Sequence, residues 1–371
     1  MPKTTRPLSN SALGNSDRQP AGRKLASRHA AGIASTCLLL AACSGADNPL
    51  KLGQERSGDR EAQQTAQMIE AIKDVSRQRA AGEGLVKRFN QVKTLGCFDA
   101  NFSVAKNLPV ELRQGIFAQE NEYPAQLRFA NASENDDTEK DFRGLSIKLK
   151  GVSGVPLWGV EGEQDFLLNS HPVLFAADPA DFLDFIEATR KERLWQYFLN
   201  PAHFYSLLVV LKGREKIANP FAIRYWSTTP YRFGSDQTRA VKYSVRPCEG
   251  AVPDIKVKAH SDFLTDAMHA HLQATPACFD FMVQFQTDPV AMPIENAAVL
   301  WSEAESPFIK VANITIEPGD TSAATRANCE AMTFNPWQSL EAHRPLGGIN
   351  RTRLAIYSEI GKFRQEENAR R

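Results

Sequence analysis

Three residues near the end of the chain carry chemistry in their types and spacing: Arg353, Tyr357 and Arg364. On a helix, side chains four apart lie one above the other, so Arg353 and Tyr357 share a face and Arg364 follows two turns later. A guanidinium held against a phenol favours the ionised phenol. The resulting tyrosinate is an anionic oxygen ligand for ferric iron, including that of haem. From its place on the same face, Arg364 could meet a carboxylate such as a haem propionate. Arginine and tyrosine at this spacing also occur on many exposed helices, so the rest of the chain must decide what the pair is for.

The elements that would position this face can be read from periodicity. A terminal helix is expected over 350–367, and further helices over 181–197, 203–213 and 263–274. Met68, Ile69, Ile72 and Val75 recur at helical spacing and predict an amphipathic arm ending near 80–82. Strand character marks 125–130, 144–150, 165–168, 240–245, 279–287 and 308–316. Strands in runs, with helices gathered in insertions, argue for an α+β fold built on an antiparallel sheet or barrel. A chain of 371 residues that is 42% hydrophobic can bury a core of that size in one domain. Lys and Arg number 44 against 43 Asp and Glu, so no global field points to nucleic acid or an acidic membrane, and a small molecule is the expected partner. The sequence has no internal repeat, GxGxxG, P-loop or HExxH.

The beginning of the chain differs in composition. Arg18, Arg23, Lys24 and Arg28 precede an apolar run over 30–42 that is too short to span a bilayer and has signal-peptide proportions. It ends in Leu40, Ala41, Ala42 and Cys43, which looks like a bacterial lipobox with Cys43 as the lipidated residue. The expected organisation is a signal peptide over 1–43, a flexible tether over 44–64, and one domain over 65–371. Ser44 gives no inner-membrane retention signal, so a periplasmic protein lipid-anchored to the outer membrane is expected. In that oxidising compartment Cys97, Cys248, Cys278 and Cys329 can pair in three ways, which the sequence leaves open. Their spacing matches no zinc pattern.

Read in order, the segment from Arg88 to Arg364 resembles the catalase family. Arg128 and Phe129, Asp141 with Arg143 and Gly144, Asp165 followed by Asn169 and Pro172, and Asp178 with Pro179 follow the family's succession of landmarks. The stretch DFLLNSHPVLFAADPADFLDFIEA carries the match most clearly, and Phe334 to Trp337 with His343 to Gly348 fit the approach to the tyrosine helix. The resemblance implies a catalase-like antiparallel β-barrel with helical insertions and a C-terminal helix carrying the haem ligand. The chain ends shortly after Arg364, so it looks like the minimal, catalase-related group.

By that resemblance Tyr357 is the axial iron ligand, Arg353 its ionising partner, and Arg88, Arg128 and Arg364 the propionate-binding arginines. Phe182 matches a residue lining the haem channel. The distal side departs from the family: Gln91 stands at the catalytic His position, Asn90 replaces a small apolar neighbour, and Ala130 replaces the serine that bonds the His. An amide does not titrate near neutrality, so acid-base help worth ~10² to 10⁴ in rate is expected to be lost. Asn169, with Gln91 and Asn90 as fixed dipoles, is what remains to orient a hydroperoxide. His171 is the one histidine near enough by homology to be a substitute base, against a structural role in its loop.

The expected function is a haem-dependent, catalase-related oxidoreductase acting on hydrogen peroxide or organic hydroperoxides, with weak catalase activity. The alternatives are a non-enzymatic haem-binding lipoprotein and a fatty-acid hydroperoxide isomerase or lyase. Expected partners are the hydroperoxide substrate and the membrane, through the lipid anchor. A homo-oligomer remains open.

Overall fold

A computed structural model of the protein describes residues 50–254, 256–318 and 329–370. The expected signal peptide, Cys43 and residues 44–49 lie outside the described residues. The strands are β1 (Lys93–Val104), β2 (Glu122–Asn131), β3 (Arg143–Val152), β4 (Gly162–Asn169), β5 (Tyr225–Trp226), β6 (Tyr231–Arg232), β7 (Ala240–Pro247), β8 (Ala277–Phe285) and β9 (Ile309–Ile316). All neighbours pair antiparallel, β1 also pairs with β9, and β5 touches both β4 and β7. With β5 and β6 as two pieces of one interrupted strand, the sheet closes into an eight-stranded antiparallel barrel. This is the α+β barrel the sequence leads one to expect.

Successive strand residues point to opposite faces, and the barrel interior takes one set. Leu127 and Phe129 on β2, Leu145 and Ile147 on β3, Phe166 and Leu168 on β4, and Tyr243 and Phe281 on β7 and β8 are all buried in one core. The strand β1 was not legible because Gly96, Asp99 and Asn101 interrupt its β character. It forms because β2 and β9 pair with it on both sides. Its bulge between Thr94 and Gly96 requires glycine, since a Cβ there would sit 2.5 Å from the Phe98 ring.

The helices are α1 (Glu61–Glu83), α2 (Pro179–Arg190), α3 (Leu194–Leu199), α4 (Phe204–Gly213), α5 (Phe263–Ala274) and α6 (Gly348–Ala369). Asp178 caps α2 by accepting from the N–H groups of Ala180 and Asp181, with Pro179 in the first turn. The single helix expected over 181–197 is two, α2 and α3, because Glu192 between them takes a left-handed backbone (φ 56°). Met68, Ala71 and Ile72 of α1, Ile186 of α2, and Ile356 and Ile360 of α6 bury one another beside the barrel.

Residues 50–64 correct the expectation of a flexible tether. The helix α1 already begins at Glu61. Before it, Gly53 N–H donates to Gln286 (2.8 Å), and Glu55 pairs with Arg344 (2.6 Å) and Arg351 (2.7 Å). Ion pairs and backbone bonds hold this stretch instead of apolar contacts, which is why its composition reads as a linker. Arg351, in the first turns of α6, also takes Glu61 (2.8 Å) and Glu295 (2.9 Å). The four cysteines pair as Cys97–Cys329 and Cys248–Cys278.

Between the barrel and the approach to α6, His343 is fully buried against Phe117, Phe233 and Tyr243. Its Nε2 accepts from the Ile116 N–H (3.1 Å), so Nδ1 carries the proton and donates to the Tyr243 hydroxyl (3.0 Å). Burial pushes its pKa down to about 3 from 6.5. Between those values the unfolded chain binds the extra proton, so this contribution is fully present above 6.5 and is lost as pH falls towards 3. Denaturant unfolding of the wild type is expected to lose about 1.4 kcal/mol per pH unit from this group below pH ~6, and His343→Gln to remove that slope.

Candidate active site on the outer face of the barrel

The residues that alternate with the barrel core face outward, and their register lines them in rows. Thr94 pairs with Ala130, Ala130 with Gly144, and Gly144 with Asn169. The next row is Cys97, Arg128, Ser146 and Leu167. Two residues in the first row, Ala130 and Gly144, are small, and the chain before β1 folds back over them.

Gln91 lies there in a left-handed conformation (φ 59°). Its N–H donates to Asn90 Oδ1 (2.9 Å) and Ala132 O (2.9 Å), and its carbonyl accepts from Arg128 Nη2 (2.8 Å). The amide oxygen accepts from Arg128 Nη1 (3.3 Å) and Ser146 Oγ (3.4 Å), which leaves the Nε2 donors as the group Gln91 can offer. That Nε2 lies directly over Gly144, where an added Cβ would be 2.3 Å from it. Across the strand pair, Asn169 Oδ1 is buried and has no hydrogen-bond partner. A donor from Gln91 and an unsatisfied acceptor from Asn169 therefore flank Gly144. Asn90 is exposed and its Oδ1 accepts from the Gln91 N–H, so it braces Gln91.

On α6, Arg353 Nη2 donates to the Tyr357 hydroxyl (3.1 Å), and its guanidinium carbon lies 5.1 Å from the centre of that ring. Arg353 Nη1 donates to Asn350 Oδ1 (3.0 Å). Burial alone would lower the Arg353 pKa, but the phenols of Tyr357 and Tyr231 outweigh it and raise it. Asn350, itself fully buried, donates to Pro230 O (2.9 Å) and Leu346 O (3.0 Å), and accepts from the Trp337 indole at its backbone carbonyl (2.7 Å). The predicted guanidinium-phenol pair is thus present and fixed to the barrel. Tyr357 and Phe182 pack on the cluster formed by α1, α2 and α6, together with Phe89 and Phe185.

The three arginines expected to bind carboxylates converge. Burial and Arg88 push the Arg128 pKa down to about 9 and the Arg364 pKa to about 10, with Glu330 acting against both shifts. Guanidiniums do not lose their protons in proteins, so the depression reflects an uncompensated positive site that favours an anion. Part of that anion is already supplied: Glu330 pairs with Arg88 and with Arg128 (3.3 Å), and Thr94 bonds it as well. Arg88 further donates to the carbonyls of Glu330 (3.1 Å) and Met332 (2.9 Å). Arg364 has no ion pair among the described residues.

His171 does not join the site. Its Nδ1 lies against Val173 O (3.2 Å), its ring is edge-on to Phe142, and it backs Gly213 of α4. Burial lowers its pKa, so it is a neutral strut. Sequence reasoning missed Glu330, Thr94 and Asn350. The one signal for Glu330 was its position next to Cys329, which could be used only with the pairing known. Gly144→Ala is expected to push Gln91 off the sheet and cost about 1–3 kcal/mol by overpacking. Adding Gln91→Gly should recover most of that loss in denaturant unfolding, because nothing then occupies the space.

Comparison with known proteins agrees with this architecture. The family model described as Catalase matches residues 47–216. A catalase-related peroxidase of Mycolicibacterium paratuberculosis is 25% identical over 257 residues, covering 65% of this chain and 78% of that protein. Catalase A from Saccharomyces cerevisiae matches with a TM-score of 0.60 at 16% identity, over 78% of this chain and 63% of its own. A fungal catalase matches with a TM-score of 0.60 at 16% identity, over 78% and 61%. At that identity the two structures speak for the fold, and this chain spans less than two thirds of their length.

Proposed function

We propose that the chain belongs to the catalase family, whose model matches residues 47–216, and that it is a haem-dependent peroxidase-type oxidoreductase. Its substrate is hydrogen peroxide or an organic hydroperoxide, and it disproportionates hydrogen peroxide weakly. The observation that carries the reading is the Arg353–Tyr357 pair on α6, one helix with Arg364, whose guanidinium joins Arg128 and Arg88 beside Gln91. The residues fit a dicarboxylate cofactor with a ferric centre: a phenol held by a guanidinium, a desolvated cluster of arginines, and an orphaned acceptor at Asn169. When bound, haem supplies the redox chemistry that cleaves a peroxide O–O bond.

The chain's own residues do the rest. Tyr357 would be the iron ligand, and Arg353 Nη2 donates to its oxygen (3.1 Å) and fixes its position. Arg364, with Arg128 and Arg88, receives the carboxylates. Gln91 Nε2 donates to one oxygen of a hydroperoxide, and Asn169 Oδ1 accepts the hydrogen bond from its O–H. Neither group can take that proton at neutral pH, and Arg128 holds the Gln91 oxygen away from the role. Binding and polarisation are therefore retained, and proton shuttling is not. The locked Gln91 also favours a second reading, a haem-holding protein without turnover. Phe182 and Phe185, which pack on the same apolar cluster as Tyr357, suit the isomerase or lyase variant acting on fatty-acid hydroperoxides.

We place this chemistry in the periplasm, with the chain anchored through lipid on Cys43. The lipobox supports that placement, and so do two disulfides, which persist in oxidising compartments.

The absorption spectrum of the haem-loaded protein tests the reading. It is expected to show a ferric tyrosinate that Tyr357→Phe abolishes, and absence of haem from both proteins overturns the proposal. Gln91→His with Ala130→Ser is expected to raise oxygen release from peroxide by ~10² to 10⁴. No gain would show that the distal amide is not what limits turnover.

A further inference from the structure

The arginine cluster already holds a carboxylate of its own. Glu330 pairs with Arg88 and Arg128, and Arg88 grips the backbone around it through the carbonyls of Glu330 and Met332. The residue before it, Cys329, is bonded to Cys97, which sits in the same outward row as Arg128. The carboxylate is thus delivered to the arginines by a covalent link to the strand beside them. A tethered anion competes at a high effective concentration against a free one.

We propose, resting on the haem reading above, that Glu330 is a specificity-determining residue of the cofactor site, a resident carboxylate that a cofactor carboxylate must displace. Three guanidiniums and one internal carboxylate leave two positive charges. Two of the three cations are bonded to Glu330, and Arg364 alone lacks an ion pair among the described residues. An incoming carboxylate can therefore engage Arg364 directly, but it reaches Arg88 and Arg128 only as Glu330 leaves. The side chain of Glu330 is 45% exposed, so it can swing into water at little desolvation cost. The Cys97–Cys329 bond keeps it close enough to return. The site consequently selects for ligands with carboxylates strong enough in number and placement to win that exchange.

Haem titration of the full, oxidised chain, followed by absorbance, tests this without any turnover. Glu330→Gln keeps the shape and removes the charge. It is expected to bind haem on the order of tenfold more tightly than the wild type, the scale of one hydrogen bond to a charged group. Cys97→Ser with Cys329→Ser, which frees the segment and leaves Glu330 intact, is expected to shift affinity in the same direction. The dimethyl ester of haem, which has no free carboxylate, is expected to bind the wild type and Glu330→Gln equally. Equal affinity of both for haem itself, or weaker binding by Glu330→Gln, overturns this inference and leaves the haem reading standing. Failure of wild type and variants alike to bind haem overturns both.

Discussion

The pleat of a β-strand is the constraint on which this molecule depends. One side of the closed sheet must be filled with Phe, Leu, Ile and Tyr to make a core, and the other side is then free for chemistry. The residues placed at the distal side of the site, apart from the turn at 88–91 and Glu330, are outward members of β1 to β4, each with at least one inward core residue beside it in sequence. Arg128 stands between Leu127 and Phe129, and Asn169 follows Leu168. Shifting β2 by one residue would turn Arg128 into the core and a neighbouring Leu127 or Phe129 into the pocket. The geometry of the candidate site and the stability of the core are therefore written in the same alternation.

Charge is handled in two ways. Around Arg351 the molecule balances one cation with Glu55, Glu61 and Glu295, and so fastens the start of α6 to the loop before α1 and to the 288–300 segment. Around Arg128 it does the reverse, gathering cations with a single carboxylate among them. The first arrangement is closed, and it is structural. The second is left with an excess of positive charge. The same residue type thus reports opposite roles according to how many carboxylates face it.

Much of this was legible in the sequence. The helix bearing Arg353 and Tyr357, six of the seven long strands, and α5 follow from periodicity, and the pairing of Arg353 with Tyr357 follows from helical spacing. What was not legible depends on partners distant in the chain. β1 is a strand because β2 and β9 flank it, and its own residues argue against it. Residues 50–60 look like a linker because the groups that hold them, Arg344, Arg351 and Gln286, lie hundreds of residues away. Glu330 could not be assigned while the three cysteine pairings were equivalent. The bond from the Gln91 N–H to Asn90 Oδ1 was not legible either, because it depends on the left-handed turn at Gln91.

The Cys97–Cys329 bond has a topological result. It joins the strand that follows Gln91 to the segment that precedes Tyr357, and the covalent route between the two sides of the pocket bypasses a sequence separation of 232. Most of the barrel and the helices α2 to α5 hang from this junction as one closed loop. A protease cut anywhere in that loop would still leave the turn of Gln91 and the helix of Tyr357 in a single molecule.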